Sequence, residues 1–265
     1  MSDNPALLRR LRDLSFEAEL DDAARLVGLD GATAVLSPSL PLLWDASFLL
    51  VEREGMDAAR VEALAAEAFS GSGLPHLAVT FRAEGEGARL AGDLAARGWE
   101  PDVGLYMVQR SPSLLEARVE VAERPLGEIR EAVREVMAEC FAPGYGEPVE
   151  AVGDQLLAAA TPGSQDGGRR WFTAELHGRP AACCRLSDQG GIGEIEYVGT
   201  LGAARGHGLA RSVVLAAAEA SRDRGDELTF LQADRDDWPA TGLYERLGFE
   251  TVGTDHAFVR REPRP

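Results

Sequence analysis

The 265-residue chain contains no lysine: its 27 basic residues are all arginines, set against 44 acidic ones for a formal charge of −17. That absence excludes a Schiff-base lysine for pyridoxal phosphate, the phosphate-loop lysine of a nucleotide triphosphatase and the strand lysine of a protein kinase. Cysteine is also scarce. Cys140, Cys183 and Cys184 make an odd count of three with no Cys-x-x-Cys spacing. Neighbours on a strand point to opposite faces, so neither a disulfide nor a metal site is expected, and a reducing cytoplasm is. Long apolar runs are missing too. The longest uncharged run, Gly31 to Trp44, carries two prolines and is too short to cross a bilayer. Arginines at 9, 10 and 12 have no apolar stretch behind them, which argues against a signal peptide, so no membrane partner is expected.

What is present is spread evenly. Residues 1 to 110 hold 10 arginines and 18 acids, and residues 111 to 265 hold 17 and 26. A uniformly acidic surface repels phosphate backbones, which disfavours nucleic acid as a partner and favours cationic small molecules or basic peptides. At 45% hydrophobic and 27% charged the composition is that of a globular protein of one large or two ordinary domains.

A break falls at Arg110-Ser111-Pro112-Ser113, where the strand-like run Gly104 to Val108 ends in turn formers. It divides the chain into residues 1–112 and 113–265. The first part opens on Asn4 and Pro5, a helix start, followed by leucines 7, 8, 11 and 14 at helical spacing. A helix over 58–69, a strand over 77–81, a helix ending at Gly98 and the 104–108 strand follow. In the second part a strand is expected over 118–122 and a helix behind Pro125. A hairpin is expected at His177-Gly178-Arg179-Pro180 and a strand over 193–200. A helix from about Gly208, a buried strand over 228–233, a helix over 239–247 and two closing strands, near 250–252 and 256–260, complete the reading.

The segment Arg205-Gly206-His207-Gly208-Leu209-Ala210-Arg211 joins a strand to a helix and carries no carboxylate. Its glycines let backbone approach a ligand, and amides at a helix start present the positive end of a dipole, a combination that binds pyrophosphate without lysine. Arg82-Ala83-Glu84-Gly85-Glu86-Gly87 has the same spacing, but Glu84 and Glu86 would repel a phosphate, so that match reads as accidental. A dinucleotide-binding reading of the 205 loop is weakened because Arg211 stands where the third glycine of Gly-x-Gly-x-x-Gly would be.

Together with Tyr244-Glu245-Arg246-Leu247-Gly248-Phe249, that loop resembles the GNAT superfamily of acetyl-CoA-dependent N-acetyltransferases. Arg205, Gly208 and Ala210 meet the family loop, and Tyr244, Gly248 and Phe249 meet the later signature. Asp237, where many members carry Asn, is a departure. The resemblance implies an α/β (α+β) GNAT fold, a mixed and mostly antiparallel twisted sheet flanked by helices, over residues 113–265. It implies acetyl-CoA as co-substrate, bound by Val198, Thr200, Arg205, Gly206, His207, Gly208, Leu209, Ala210, Arg211 and Asp237, with no metal. The acceptor is a small-molecule or peptide amine. An amine of pKa near 10 must lose a proton before it attacks a thioester. Glu194 and Glu196 lie two apart on one strand face; Glu196 is the expected base and Glu194 the reserve. The break in alternation at Val198 is consistent with the family's strand bulge, which opens a slot for pantetheine. Tyr244 is the expected proton donor to the leaving thiolate, and the Val198 amide the oxyanion contact. The rival class is a non-catalytic acyl-CoA-binding regulatory protein. Leu94 to Glu100 parallels Tyr244 to Glu250 with leucine in place of tyrosine, which suggests a degenerate GNAT-like N-terminal domain.

Overall fold

The computed structural model describes residues 4–19, 25–146, 148–161 and 168–261. They fall into two compact units. Unit 1 comprises residues 1–105 with 234–236 and 253–265, and unit 2 comprises 106–233 with 237–252. The break expected at 110–113 therefore falls a few residues late, and the chain's end belongs to unit 1. Two long strands cause the difference, because each runs from one unit into the other.

Unit 1 holds α1 (Asn4–Glu19), β1 (Arg25–Leu29), β2 (Ala32–Leu36), β3 (Phe48–Val51), α2 (Ala58–Phe69), β4 (His76–Phe81), α3 (Glu86–Ala95) and the first part of β5 (Glu100–Gln109). Asp57 caps α2 through the Arg60 amide, and Val61, Leu64, Ala65 and Ala68 form its buried stripe. β2 runs antiparallel to β1 and β3, and β3 runs parallel to β4 with α2 as the crossover. The strands over 25–51 have no counterpart in the sequence reading. β3 is Phe48-Leu49-Leu50-Val51, buried throughout, and such a run shows no alternation to read.

Unit 2 adds β6 (Val121–Arg124), α4 (Leu126–Cys140), α5 (Ala142–Tyr145), α6 (Val149–Ala160), β7 (Arg169–Leu176), β8 (Arg179–Asp188), β9 (Gly193–Thr200), α7 (Leu209–Arg224), β10 (Thr229–Asp234), α8 (Trp238–Arg246) and the start of β11 (Phe249–Arg261). β6, β7, β8 and β9 pair antiparallel in sequence, and β10 pairs parallel to β9. α7 covers one face of β7 to β9. α4 packs on β8 and β9, and α6 lies against α4 so closely that a Cβ on Gly153 would sit 2.9 Å from that of Ala138. The hairpin forms as expected, with φ +54 at His177 and +78 at Gly178. β11 is one strand where two were expected. The strand expected at 118–122 begins only at Val121, because the Arg118 and Val119 amides donate instead to the Ser212 hydroxyl on α7.

Candidate active site

The site in unit 2 is made by a failure of strand pairing. β9 and β10 pair through Gly193↔Thr229, Glu194↔Phe230 and Ile195↔Leu231, and the ladder ends there while β9 continues to Thr200. On the other side of β9 the register with β8 slips, so that Cys183 opposes Gly199 but Arg185 opposes Glu196. The extra residue is a bulge at Tyr197–Val198, and Tyr197 takes the left-handed φ of +51. The free end of β9 presents Val198, Gly199 and Thr200 beside this gap. The Thr200 hydroxyl oxygen is buried without a hydrogen-bond partner, while its carbonyl accepts from the Cys140 thiol at 3.4 Å and from Arg205 Nε at 3.3 Å.

The chain then turns through a short 3-10 segment, Gly202–Ala204, into the arginine-glycine loop. Gly206 and Gly208 have φ of +81 and +82, and Gly208 is the N-cap of α7. Side chains other than glycine resist this backbone, and the first-turn amides of α7, like those of any helix start, have no partner within the helix. The expected binding residues 205–211 therefore sit together. Leu209 differs from its neighbours, since its side chain is core and only its amide can serve a ligand. His207 is exposed, with Nδ1 beside the carbonyls of Ala204 and Arg205. Arg211 Nε is buried with no partner. Asp237 caps α8 by accepting from the Ala240 amide at 3.2 Å, which occupies the carboxylate in a structural role. An unpartnered threonine hydroxyl, an unpartnered arginine nitrogen and open helix amides form a donor set suited to a phosphorylated thioester such as acetyl-CoA.

Glu194 and Glu196 share a face, as expected, but their surroundings differ. Glu196 is held in a bidentate pair with Arg185, Nη2 to Oε1 at 2.6 Å and Nε to Oε2 at 3.1 Å, and the Ser187 hydroxyl donates to Oε2 at 2.5 Å. Arg185 is buried, donates also to the Ala160 carbonyl and lies 4.7 Å over the Tyr197 ring, which itself stacks on Trp171. Glu194 is 4% exposed and receives Gln189 Nε2 at 2.9 Å and Gln232 Nε2 at 3.5 Å. Burial, with a smaller contribution from the Glu196 charge, pushes its pKa up to about 8. The locked carboxylate is thus the one favoured as base on sequence, and the basic one is the reserve. Arg185 and Ser187 were missed, and their signal was two polar residues alternating within the apolar run of β8.

Tyr244 is 6% exposed, lies edge-on to Phe249, and has its phenol pushed well above its usual range by burial and then by Asp237. It also feels Cys184, whose thiol donates to the Val213 carbonyl of α7. Cys184 and Arg185 are consecutive on β8 and point to opposite faces. Tyr244 therefore approaches from the α7 face and the two glutamates from the face carrying α4 and α6.

Residues 130–249 match the model of the Acetyltransferase (GNAT) family. The mycothiol acetyltransferase of Saccharomonospora viridis is 42% identical over 69 residues, 26% of this chain. The match spans less than a quarter of that relative, 22% of its length. Among solved structures, a GCN5-related N-acetyltransferase from Kribbella flavida superposes with a TM-score of 0.65 at 19% identity, over 97% of this chain and 96% of that one. A tandem GNAT protein from the clavulanic acid biosynthesis pathway gives a TM-score of 0.56 at 16% identity, over 96% and 89%. At such identities the likeness concerns the fold.

Proposed function

Since residues 130–249 belong to the GNAT acetyltransferase family, we propose that this chain moves an acetyl group from acetyl-CoA to an amine by direct attack. The observation that carries the reading is the open end of β9, with its ladder to β10 ending at Ile195↔Leu231, leading straight into the Arg205–Ala210 loop at the start of α7. Bound there, acetyl-CoA supplies the activated acyl group. The amides of 206–210, Arg205 and Arg211 hold its phosphates, and Thr200 offers a hydroxyl to the pantetheine arm. The Val198 amide, freed by the bulge, polarises the thioester carbonyl.

For the base we assign Glu194 in place of Glu196. The Glu196 carboxylate has both oxygens engaged by Arg185 and Ser187, so neither is free to face an acceptor. A desolvated carboxylate with a pKa about 8 is matched to an ammonium near neutral pH. Glu196, fixed by Arg185, then acts as a positioning residue, and its own negative charge adds to burial in raising the Glu194 pKa. Tyr244, kept protonated, donates to the departing thiolate. The relatives' name, mycothiol acetyltransferase, supports acetyl transfer. The acidic charge of −17 supports an acceptor that arrives as a cation. Calorimetry with acetyl-CoA together with thiol release across a panel of amines tests the assignment; binding without release from any amine would favour the regulatory alternative.

We also propose that unit 1 is a degenerate copy of the same fold. Its succession of antiparallel hairpin, third strand, helix, parallel strand, helix and strand repeats that of β7 to β11. The slot is sealed, because β3 pairs with β4 up to Val51↔Phe81 and the Arg82 amide then donates to the Val51 carbonyl. The connection from β3 to α2 carries Glu52, Glu54 and Asp57.

A further inference from the structure

The stretch between β5 and β6 has no place in the motifs, yet it is fastened to the start of α7. The amides of Arg118 and Val119 both donate to Ser212 Oγ, at 2.9 and 3.2 Å, and that hydroxyl in turn donates to the Gly208 carbonyl. Ser212 is fully buried, so the anchor is part of the fold. It lays the aliphatic arm of Arg118 across the N-cap of α7. A Cβ on Gly208 would meet Arg118 Cδ at 2.6 Å, Cβ at 3.1 Å and Cγ at 3.2 Å. The guanidinium begins one bond beyond that Cδ. It is exposed, and although Glu116 and Glu120 are near in sequence, no carboxylate among the described residues pairs with it. Arg205 and Arg211 also lack carboxylate partners among the described residues; Arg205 Nε donates to the Thr200 carbonyl and Arg211 Nε is buried without a partner.

Resting on the acetyltransferase reading, we infer that Arg118 is a third phosphate-binding arginine, delivered to the cofactor loop by the segment between β5 and β6. Its ligand is a phosphate of coenzyme A, either the pyrophosphate or the 3′-phosphate. Placing the cation from outside the loop gives the Gly208 glycine a second reason besides its φ, since any side chain there would displace the arm.

Arg118→Ala should weaken coenzyme A binding about tenfold in calorimetry, with a shallower salt dependence, as expected when one charge contact to phosphate is lost. The KM for acetyl-CoA should rise by a similar factor while the thermal midpoint holds, and Arg130→Ala, on the exposed side of α4, should bind as the parent does. Dephospho-coenzyme A separates the two phosphates. A loss that vanishes with this ligand assigns the 3′-phosphate, and a loss that persists assigns the pyrophosphate. Acetyl-pantetheine, with neither the pyrophosphate nor the 3′-phosphate, should bind parent and variant alike. Equal affinity of parent and Arg118→Ala for coenzyme A overturns this inference alone. A parent that takes up no coenzyme A overturns the acetyltransferase reading and this inference with it.

Discussion

Replacing Glu194 by glutamine should make the protein more stable and far less active, and the two effects have one cause. In the fold the carboxyl titrates at about 8, against an ordinary value of 4.5. Between those values the unfolded chain has released its proton while the folded one keeps it, so the parent loses stability as pH rises through that window. At pH 7 the gap is 2.5 units above the unfolded value, which at 1.36 kcal/mol per unit amounts to about 3 kcal/mol. Glutamine has the same shape, can answer Gln189 and Gln232, and never ionises. The variant should therefore melt roughly 6–12 °C above the parent at pH 7, given about 2–4 °C per kcal/mol for a unit of this size. The difference should shrink towards zero near pH 4.5. Turnover should fall by about 10²–10⁴, the contribution of a positioned base. Calorimetric melts from pH 4.5 to 8.5 and thiol release at pH 7.5 read both effects. A melting difference that stays flat across that range refutes the raised pKa, and an unimpaired rate refutes the catalytic assignment.

Tyr244→Phe keeps the ring contact with Phe249 and should lower turnover about a hundredfold while acetyl-CoA affinity moves less than twofold; an unchanged rate removes the phenol from the mechanism. Arg185→Leu leaves Glu196 without its cation and should cost about 3–5 kcal/mol in a urea titration, most of it recovered in the Arg185→Leu/Glu196→Leu double variant. Equal losses in single and double variants would mean that packing alone matters. In unit 1, burial lowers the His76 pKa to about 4 although its ring bonds the Ser47 backbone, so the unfolded state binds the proton first and stability falls as pH drops from 6.5 towards 4. By pH 5 that should reach about 2 kcal/mol, and His76→Leu should abolish the slope. Because unit 1 keeps β3 and β4 zipped, acetyl-CoA titration should return one site per chain; a second site of similar affinity would show that the ladder opens.

The loop and helix starts were legible because they depend on local rules. A positive φ selects Gly206 and Gly208, and periodic leucines and alanines mark α2 and α7. The bulge was legible as a break in alternation after Tyr197. What could not be read was the difference between Glu194 and Glu196. Both occupy the same face of one strand, and their environments come from Arg185 on β8, Ala160 on α6 and Gln232 on β10, partners set by topology rather than by spacing. Strand β3 was unreadable for a related reason, since a strand buried on both faces has no pattern of period two. Asp237 has a role that local rules do explain, since its side chain caps α8 just ahead of Trp238 and Pro239.

The two halves differ least in element order and most in where one parallel ladder stops. In unit 2 the bulge at Tyr197 takes β9 out of register with β8 just as its pairs with β10 end, so β9 runs on to Thr200 without a β10 partner. In unit 1 the corresponding strand is four residues long, pairs with β2 and β4 without a register shift, and hands its last carbonyl to Arg82. A buried backbone amide has to be satisfied by something, and a ladder that stays closed satisfies it internally. Function in this fold is then bought by leaving pairs unmade where a ligand can complete them, and sealing them requires no change in the core. On the proposal that unit 1 is a degenerate copy, its site is lost through a short strand and three acids while helix, glycine cap and aromatic stay at Leu94, Gly98 and Trp99.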